Sequence, residues 1–344
     1  MSTPCDASSR PSEAFRGDDV NVGIVGCGLV GRKRAGALGT HTLVVASDLR
    51  TDRAEELAAL HSGCRVEERW EDLVARTDVG AVVVATTHDS LVPVAMAAVR
   101  AGKHVLVEKP AARNPRELDE LIDVARARRA IVKVGFNHRY HPALQKAKAL
   151  CREGALGEIL YLRGRYGHGG RLGYEKEWRA DPAVSGGGEL LDQGVHLIDL
   201  SRWFMGDFTR VTGRVGTFFW AMPVEDNGFL MLETAQGRVA WLHVSWTEWK
   251  NLFSLEIFGE RGKLQIDGLG GSYGTERLTW YRMLPTMGPP ETTVWEYPGP
   301  DRSWDTEFAD FIDCIERGAV REATLDDARA ALDIVFTVYG ENAR

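Results

Sequence analysis

A short apolar run, Asn21-Val22-Gly23-Ile24-Val25, leads directly into Gly26-Cys27-Gly28-Leu29-Val30-Gly31 and then into Arg32-Lys33-Arg34-Ala35-Gly36-Ala37-Leu38. A strand, a glycine turn and a helix in that order restrict the fold more severely than any other stretch, because they read as the first unit of a parallel sheet whose turn faces an anion. Gly26 lets the chain turn tightly, Gly28 lets the backbone approach a pyrophosphate, and Gly31 lets helix and strand pack closely. The helix N-terminus at Leu29 and Val30 offers free N–H groups and the positive end of its dipole. A second strand over 42–47 ends at Asp48, about 20 residues beyond the first glycine, where a carboxylate accepts from the adenosine ribose of NAD and repels the extra phosphate of NADP. NAD is therefore expected over NADP. Two alternatives stand beside that reading: Asp48 caps the helix expected over 53–60, or Arg50 turns toward a phosphate.

The pattern continues in alternation. Residues 80–85 form a continuous apolar run suited to a buried parallel strand, and Thr86 and His88 follow at its carboxyl end, where ligands of such sheets sit. A helix over 92–101 precedes a strand over 103–107 that stops at Glu108-Lys109-Pro110. Pro110 cannot continue the ladder, so Lys109 is presented at the sheet edge beside the expected nicotinamide. Without other support it reads as an exposed lysine ending a strand. A helix over 116–129 and a strand over 131–136 complete a doubly wound parallel sheet. Regularity ends at Asn137-His138-Arg139-Tyr140-His141-Pro142. Residues 20–137 are expected to be the cofactor domain and 138–344 a substrate and oligomerisation domain. Residues 1–19, rich in Ser, Asp and Arg without an apolar core, are expected to be a disordered tail and neither signal peptide nor membrane span.

The chain's 344 residues, 44% of them hydrophobic, suffice for two cores. From residue 158 onward the pattern alternates in twos, with strands expected over 159–166, 210–215, 228–233, 238–246, 253–258, 262–267 and 277–281. These suggest one large, mostly antiparallel sheet with a helix over 189–205 on one face. Trp220, Trp241, Trp246 and Trp249 are candidates for the other face, which a partner subunit would cover in a homodimer or homotetramer. Two closing helices are expected over 301–317 and 324–339. The net charge of −7, with acidic and basic residues interspersed, leaves no basic stripe for nucleic acid. Five cysteines without a C-x-x-C spacing argue against a disulfide framework or a zinc site, and fit a reducing cytoplasm.

After Gly186-Gly187-Gly188, the run to Asp199 reads as a helix with Asp192, His196 and Asp199 on one face. An acid and an imidazole one turn apart can form a general acid/base unit. Taken alone, they read rather as a core histidine satisfied by a carboxylate. Residues 165–179 are polar, aromatic and basic together. Tyr166, His168, Arg171 and Trp178, with Arg139, Asp192 and His196, are the candidate contacts for a polyhydroxylated ligand; an ordinary exposed loop would have a similar composition.

Taken together, Gly26-Cys27-Gly28-Leu29-Val30-Gly31, Glu108-Lys109-Pro110, Gly135-Phe136-Asn137-His138-Arg139-Tyr140 and Gly187-Gly188-Glu189-Leu190-Leu191-Asp192-Gln193-Gly194-Val195-His196 closely resemble the glucose-fructose oxidoreductase, inositol dehydrogenase and MocA family. The resemblance implies an α/β plus α+β architecture, a Rossmann doubly wound parallel sheet followed by a large open-faced antiparallel one. It also implies hydride transfer between NAD(P) and a secondary hydroxyl or ketone of a sugar, nucleotide sugar, aminosugar or cyclitol. By the same resemblance Lys109, Asp192 and His196 line the pocket beside the nicotinamide, with Glu108 and Lys109 near the cofactor. His196 is the expected acid/base, Asp192 its orienting partner and Lys109 a donor to the substrate oxygen, although Lys109 and His196 could exchange roles. No metal is needed. The group also contains regulatory proteins without turnover and enzymes that hydrolyse glycosides through transient oxidation, and both remain alternatives.

Overall fold

The computed structural model describes residues 19–342. Apart from Asp19, the expected N-terminal tail lies outside the described residues. Strands β1 (Asn21–Val25), β2 (Thr42–Ser47), β3 (Arg65–Val66), β4 (Ala81–Val84), β5 (His104–Glu108) and β6 (Val132–Gly135) form one parallel sheet in the order β3-β2-β1-β4-β5-β6. The order in which strands are added reverses between β1 and β4, and such a switch point opens a crevice at the carboxyl ends of the strands. Helices α1 (Leu29–Gly36), α2 (Thr51–Ala58), α3 (Trp70–Ala75), α4 (His88–Arg100) and α5 (Pro115–Arg128) connect them. The two-residue β3 and short α3 escape a periodicity reading because neither is long enough to show a period. Helix α4 begins at His88, four residues earlier than expected, and contains Pro93. Asn114 caps α5 by accepting from the Glu117 N–H at 3.2 Å, with Pro115 in the first turn.

A 3₁₀ turn (Asn137–Tyr140) and α6 (Pro142–Arg152) lead into the second sheet, built from β7 (Ile159–Gly167), β8 (Phe208–Gly216), β9 (Asn227–Thr234), β10 (Val239–Ser245), β11 (Leu252–Gly259), β12 (Gly262–Asp267), β13 (Glu276–Arg282) and β14 (Glu291–Tyr297). Their order is β14-β13-β12-β11-β7-β10-β9-β8, and the β7–β10 pair is parallel. The edge strand β14 was not expected: its residues are exposed or half-buried, so no buried apolar period marks it. Helix α8 (Val195–Met205) packs on β7 and β10 of this sheet, whereas the short α7 (Pro182–Ser185) lies against α4. Leu197, Leu200, Leu230, Leu242, Val244 and Leu255 belong to one buried cluster that continues into the β4–β6 side of the first sheet.

Two of the four tryptophans proposed for the open face are not there. Trp246 is fully buried and Trp220 nearly so, the Trp220 indole N–H donating to the Trp246 carbonyl at 3.0 Å in a small core with Tyr174, Ala180, Met222 and Val224. The alternation fails at these positions because both lie just outside the strands. Trp241 and Trp249 are exposed. Finally, α9 (Ser303–Arg317) and α10 (Leu325–Asn342) close the chain. Helix α9 crosses back to the first sheet, where Phe308, Phe311 and Ile312 join Val22, Ile24, Leu43 and Leu106 in one core.

Candidate active site

The glycine turn has the shape its spacing requires. Gly26 has φ +93°, and a Cβ there would meet the Ala85 carbonyl oxygen at 2.4 Å. A Cβ on Gly31 would come within 1.9 Å of the Gly26 oxygen, whereas one on Gly28 would meet only the end of Arg53 at 3.9 Å. Two glycines therefore permit close packing, and the third keeps the backbone open toward the crevice. Gly28 precedes α1 without a side-chain cap, and the exposed Leu29 begins it, so the first-turn N–H groups remain available. The Asp48 carboxylate accepts from the Cys27 N–H at 2.6 Å and the Arg50 N–H at 2.8 Å, which fixes it beside the glycine turn. It does not cap α2, which has no side-chain cap, and Arg50 folds onto Asp52. These residues fit a dinucleotide: Gly26 to Gly31 would hold its pyrophosphate and Asp48 its ribose.

Thr86 lies past β4, its hydroxyl donating to the Thr87 carbonyl at 3.0 Å. His88 is buried and engaged by the protein, its Nδ1 2.8 Å from the Ser185 carbonyl and its ring edge-on to Trp178. Burial pushes its pKa down to about 4. It thereby ties the α7 segment to the sheet edge, which the sequence reading, assigning it to the cofactor, did not foresee.

Lys109 follows β5 at the mouth of the crevice. Its ammonium donates to the Asp192 carboxylate at 2.6 Å and to the Asp192 carbonyl at 2.7 Å. The other carboxylate oxygen accepts from Arg179 Nε at 2.8 Å. Burial alone would raise the Asp192 pKa, but the flanking cations Lys109 and Arg179 hold it well below the usual carboxylate range. Asp192 is thus an anion between two cations. It makes no hydrogen bond to His196, contrary to the orienting role expected for it. The segment explains the difference: Leu190–Gly194 is a π-helical turn, and α8 proper starts at Val195. Wider winding alters the angle between residues four apart.

Glu225 and Tyr339, from two later segments, pack against the entrance to that turn. A Cβ on Gly187 would lie 2.2 Å from the Tyr339 hydroxyl, and one on Gly188 2.0 Å from the Glu225 carbonyl. The Glu225 carboxylate accepts from the Gly188 and Leu190 N–H groups at 3.0 and 3.1 Å and from Tyr339 at 2.7 Å. A buried carboxylate thus supplies the cap that the turn's own residues lack.

His196 is buried with its Nδ1 lacking a hydrogen-bond partner among the described residues. It stacks on His138 with ring centroids 3.7 Å apart and planes inclined by 16°. Burial, reinforced by the charge of Lys109, drives its pKa well below 6.5, so the ring is neutral. Tyr166, also buried, stands edge-on to both His138 and Phe253. His168 accepts from the Gly170 N–H, Arg171 pairs at the surface with Glu177, and Trp178 lies under Arg179. Arg139 is a correction. It is buried in a two-point pair with Asp199, at 2.8 and 2.6 Å, which joins the 3₁₀ turn to α8, so neither Arg139 nor Asp199 is free for a ligand. Sequence reasoning missed Arg179, His138 and Glu189. Glu189 is fully buried and neither carboxyl oxygen has a partner among the described residues. Only its place in the quoted glycine-rich motif could have drawn notice.

Comparison with known proteins agrees with this geometry. Residues 20–136 match the oxidoreductase family with an NAD-binding Rossmann fold, and residues 144–265 match the GFO/IDH/MocA C-terminal domain. The chain belongs to the GFO/IDH/MocA family. It is 31% identical over 230 residues to a dTDP-3,4-didehydro-2,6-dideoxy-alpha-D-glucose 3-reductase of Actinomadura kijaniata, covering 65% of this chain and 67% of that protein. It is 28% identical over 240 residues to levoglucosan dehydrogenase of Pseudarthrobacter phenanthrenivorans, spanning 64% of this chain but only 60% of that relative. Among solved structures, GenD2 from gentamicin A biosynthesis in complex with NAD aligns with a TM-score of 0.81 and 26% identity over 97% of each chain.

Proposed function

We propose that this family member is an NAD-dependent dehydrogenase or ketoreductase acting on a secondary hydroxyl or ketone of a sugar, nucleotide sugar, aminosugar or cyclitol. The observation that carries the proposal is an anchored ammonium at the carboxyl edge of the parallel sheet, within electrostatic reach of a buried neutral imidazole that has an unpartnered nitrogen among the described residues. Bound NAD supplies the hydride acceptor and NADH the donor. The protein's task is then the proton. Lys109 spends two donors on Asp192 and keeps a third for the substrate oxygen, whose developing negative charge the ammonium stabilises. His196, held neutral by burial, accepts the hydroxyl proton during oxidation and returns it during reduction. Asp192 fixes the lysine rather than the histidine.

The levoglucosan dehydrogenase and dTDP-sugar reductase relatives support a carbohydrate substrate, and the complex of GenD2 with NAD supports the cofactor. Exposed Tyr161, Met231 and Trp241 on the open face of the second sheet support a homodimer or homotetramer assembled there. The test mixes the protein with NAD+ and a panel of sugars and inositols and follows the absorbance of the reduced cofactor. Turnover of a polyol is expected. NADH binding without oxidation of any panel member would transfer the assignment to a cofactor sensor.

A further inference from the structure

His196 and His138 lie flat against each other, ring centroids 3.7 Å apart, and both are buried. A working imidazole is usually oriented by a hydrogen bond to its second nitrogen. His196 lacks that hold, since its Nδ1 has no partner among the described residues. Ring contacts set its plane instead: the His138 face, with Phe136 and Tyr166 edge-on at 6.1 and 6.3 Å. Stacking this close also lets only one of the two rings carry charge at a time, because like charges oppose each other's ionisation. Hydrogen bonds decide which. The Asp301 carboxylate accepts from the Ser303 hydroxyl at 2.6 Å and from the Ser303 N–H at 3.0 Å. With its proton committed there, the Ser303 oxygen accepts from the Asn137 amide nitrogen at 3.0 Å. The Asn137 carbonyl oxygen is thereby turned toward His138 Nδ1, 3.1 Å away, and that nitrogen must carry the hydrogen. An imidazolium would need an acceptor at Nε2 as well, and His138 Nε2 has no partner among the described residues. Its surroundings agree. Burial, and then the charges of His196, His141 and Lys109, hold the His138 pKa well below 6.5. His141 stands edge-on to His138 at 5.7 Å, its Nδ1 2.9 Å from Glu276. At His196, Lys109, His141 and Arg34 oppose a positive charge and Asp192 favours it.

We infer that His138 is a positioning residue for the proton transfer: a neutral imidazole, locked by the Asp301–Ser303–Asn137 chain, that fixes the plane of His196 and leaves the substrate's proton to reside on His196 alone. The role requires no contact between His138 and the substrate. An amide at 137 is essential to it, because a carboxylate in the same place would favour an imidazolium at His138 and set a positive charge against His196. Ser303 is the first residue of α9, so the closing segment of the chain takes part in holding the acid/base group. This inference rests on the dehydrogenase reading above and adds what orients the proton carrier and keeps its neighbour from competing with it.

The test compares wild type, His138→Leu, His138→Phe and Asn137→Asp, with NAD+ and the sugars and inositols of the panel above. Histidine-selective 15N NMR, the His138 signal assigned by its loss in His138→Phe, should show that ring neutral with its hydrogen on Nδ1 at every pH where the protein stays folded. His138→Leu keeps bulk but not a flat face and should lower kcat about tenfold or more at little changed KM and NADH affinity, whereas His138→Phe should recover it to within about threefold of wild type. Asn137→Asp should raise the His138 pKa by about one unit or more. A charged His138 then disables His196, so the acid limb of the kcat/KM profile should move up by about one unit, with the rate recovering as pH rises. A merely structural role would lower Tm and reduce the rate by the same factor at every pH. Four results overturn the inference: a charged or Nε2-protonated His138 in the wild-type spectrum, His138→Leu as fast as wild type, His138→Phe as slow as His138→Leu, or an Asn137→Asp profile parallel to that of the wild type. Those leave the dehydrogenase reading standing. A wild type that oxidises no panel member removes that reading itself, and the inference falls with it.

Discussion

Asp192→Asn, Arg179→Gln and the double variant measure how the site holds its charge. Arg179 Nε lies 2.8 Å from one Asp192 oxygen and Lys109 Nζ 2.6 Å from the other. Unit charges about 4 Å apart attract by about 4 kcal/mol at an effective dielectric of about 20. Desolvation offsets part of this, and the Arg179 side chain keeps 30% exposure while Asp192 keeps 4%, so a net coupling of roughly 1–3 kcal/mol is expected. Arg179→Gln alone should destabilise slightly. Asp192→Asn should destabilise more, because it leaves Lys109 and Arg179 facing each other without the anion between them. Adding Arg179→Gln to Asp192→Asn should then restore stability, since it removes one of two repelling cations. The same substitution changes sign with its background. Because the folded pKa of Asp192 lies below its unfolded value, its contribution is complete above about pH 4 and is lost only as pH falls through the folded value. Urea unfolding at neutral pH therefore sees the full effect. Additive free energies for the two substitutions would sink the argument that Asp192 is neutralised from both sides.

His196→Asn and Lys109→Ala should each lower kcat by about 100-fold or more with NADH affinity nearly unchanged, as read by steady-state rates beside fluorescence titration; near wild-type turnover in either would remove that residue from the proton's path. Wild type should have a higher kcat/KM with NAD+ than with NADP+, and Asp48→Ser should narrow the gap; equal wild-type values would refute the reading of Asp48. Light scattering at micromolar concentration should give a dimeric or tetrameric mass, a monomer being the contrary result. Glu307, buried against Arg34, has its pKa raised to about 7, burial outweighing the guanidinium. A raised folded value makes stability fall as pH climbs from about 4.5 to about 7, by roughly 3 kcal/mol, after which it levels. Denaturant midpoints across that window should show a slope that Glu307→Gln flattens.

Periodicity makes an element legible when burial repeats along it, and the first sheet shows this best. The four buried residues of β4 and the glycines after β1 announce themselves because each has one local physical reason to be there. Edge strand β14 and the exceptional Trp220 and Trp246 were hidden, since their burial is decided by what packs on them. The site divides in the same way. Lys109, Asp192 and His196 stand out through their motifs, but the second partner of Asp192 does not, because Arg179 arrives from a single 3₁₀ turn (Trp178–Ala180) too short to show a period. Arg139 looked like a ligand contact for the same reason: an arginine after a strand carries no mark of the buried Asp199 waiting 60 residues away. The π-helical turn is invisible from its own residues, and so are Glu225 and Tyr339, which cap and pack its entrance from 35 or more residues away.

The return of α9 to the first sheet sets the order of events during synthesis. Arg34 meets Glu307 across 273 residues, and Phe308 and Phe311 finish the apolar layer under β1 and β2. When the first six strands leave the ribosome, only α1 and α2 cover that layer, and the part that α9 closes stays open while the whole second sheet is being made. The cofactor half of the molecule is the first to be translated and the last to be sealed. Contacts this distant in sequence are slow to form, and exposed apolar surface in the interval is the usual route to aggregation. A nascent chain stalled before residue 303 should accordingly engage chaperones through its N-terminal half, even though all the residues of the dinucleotide crevice have been made.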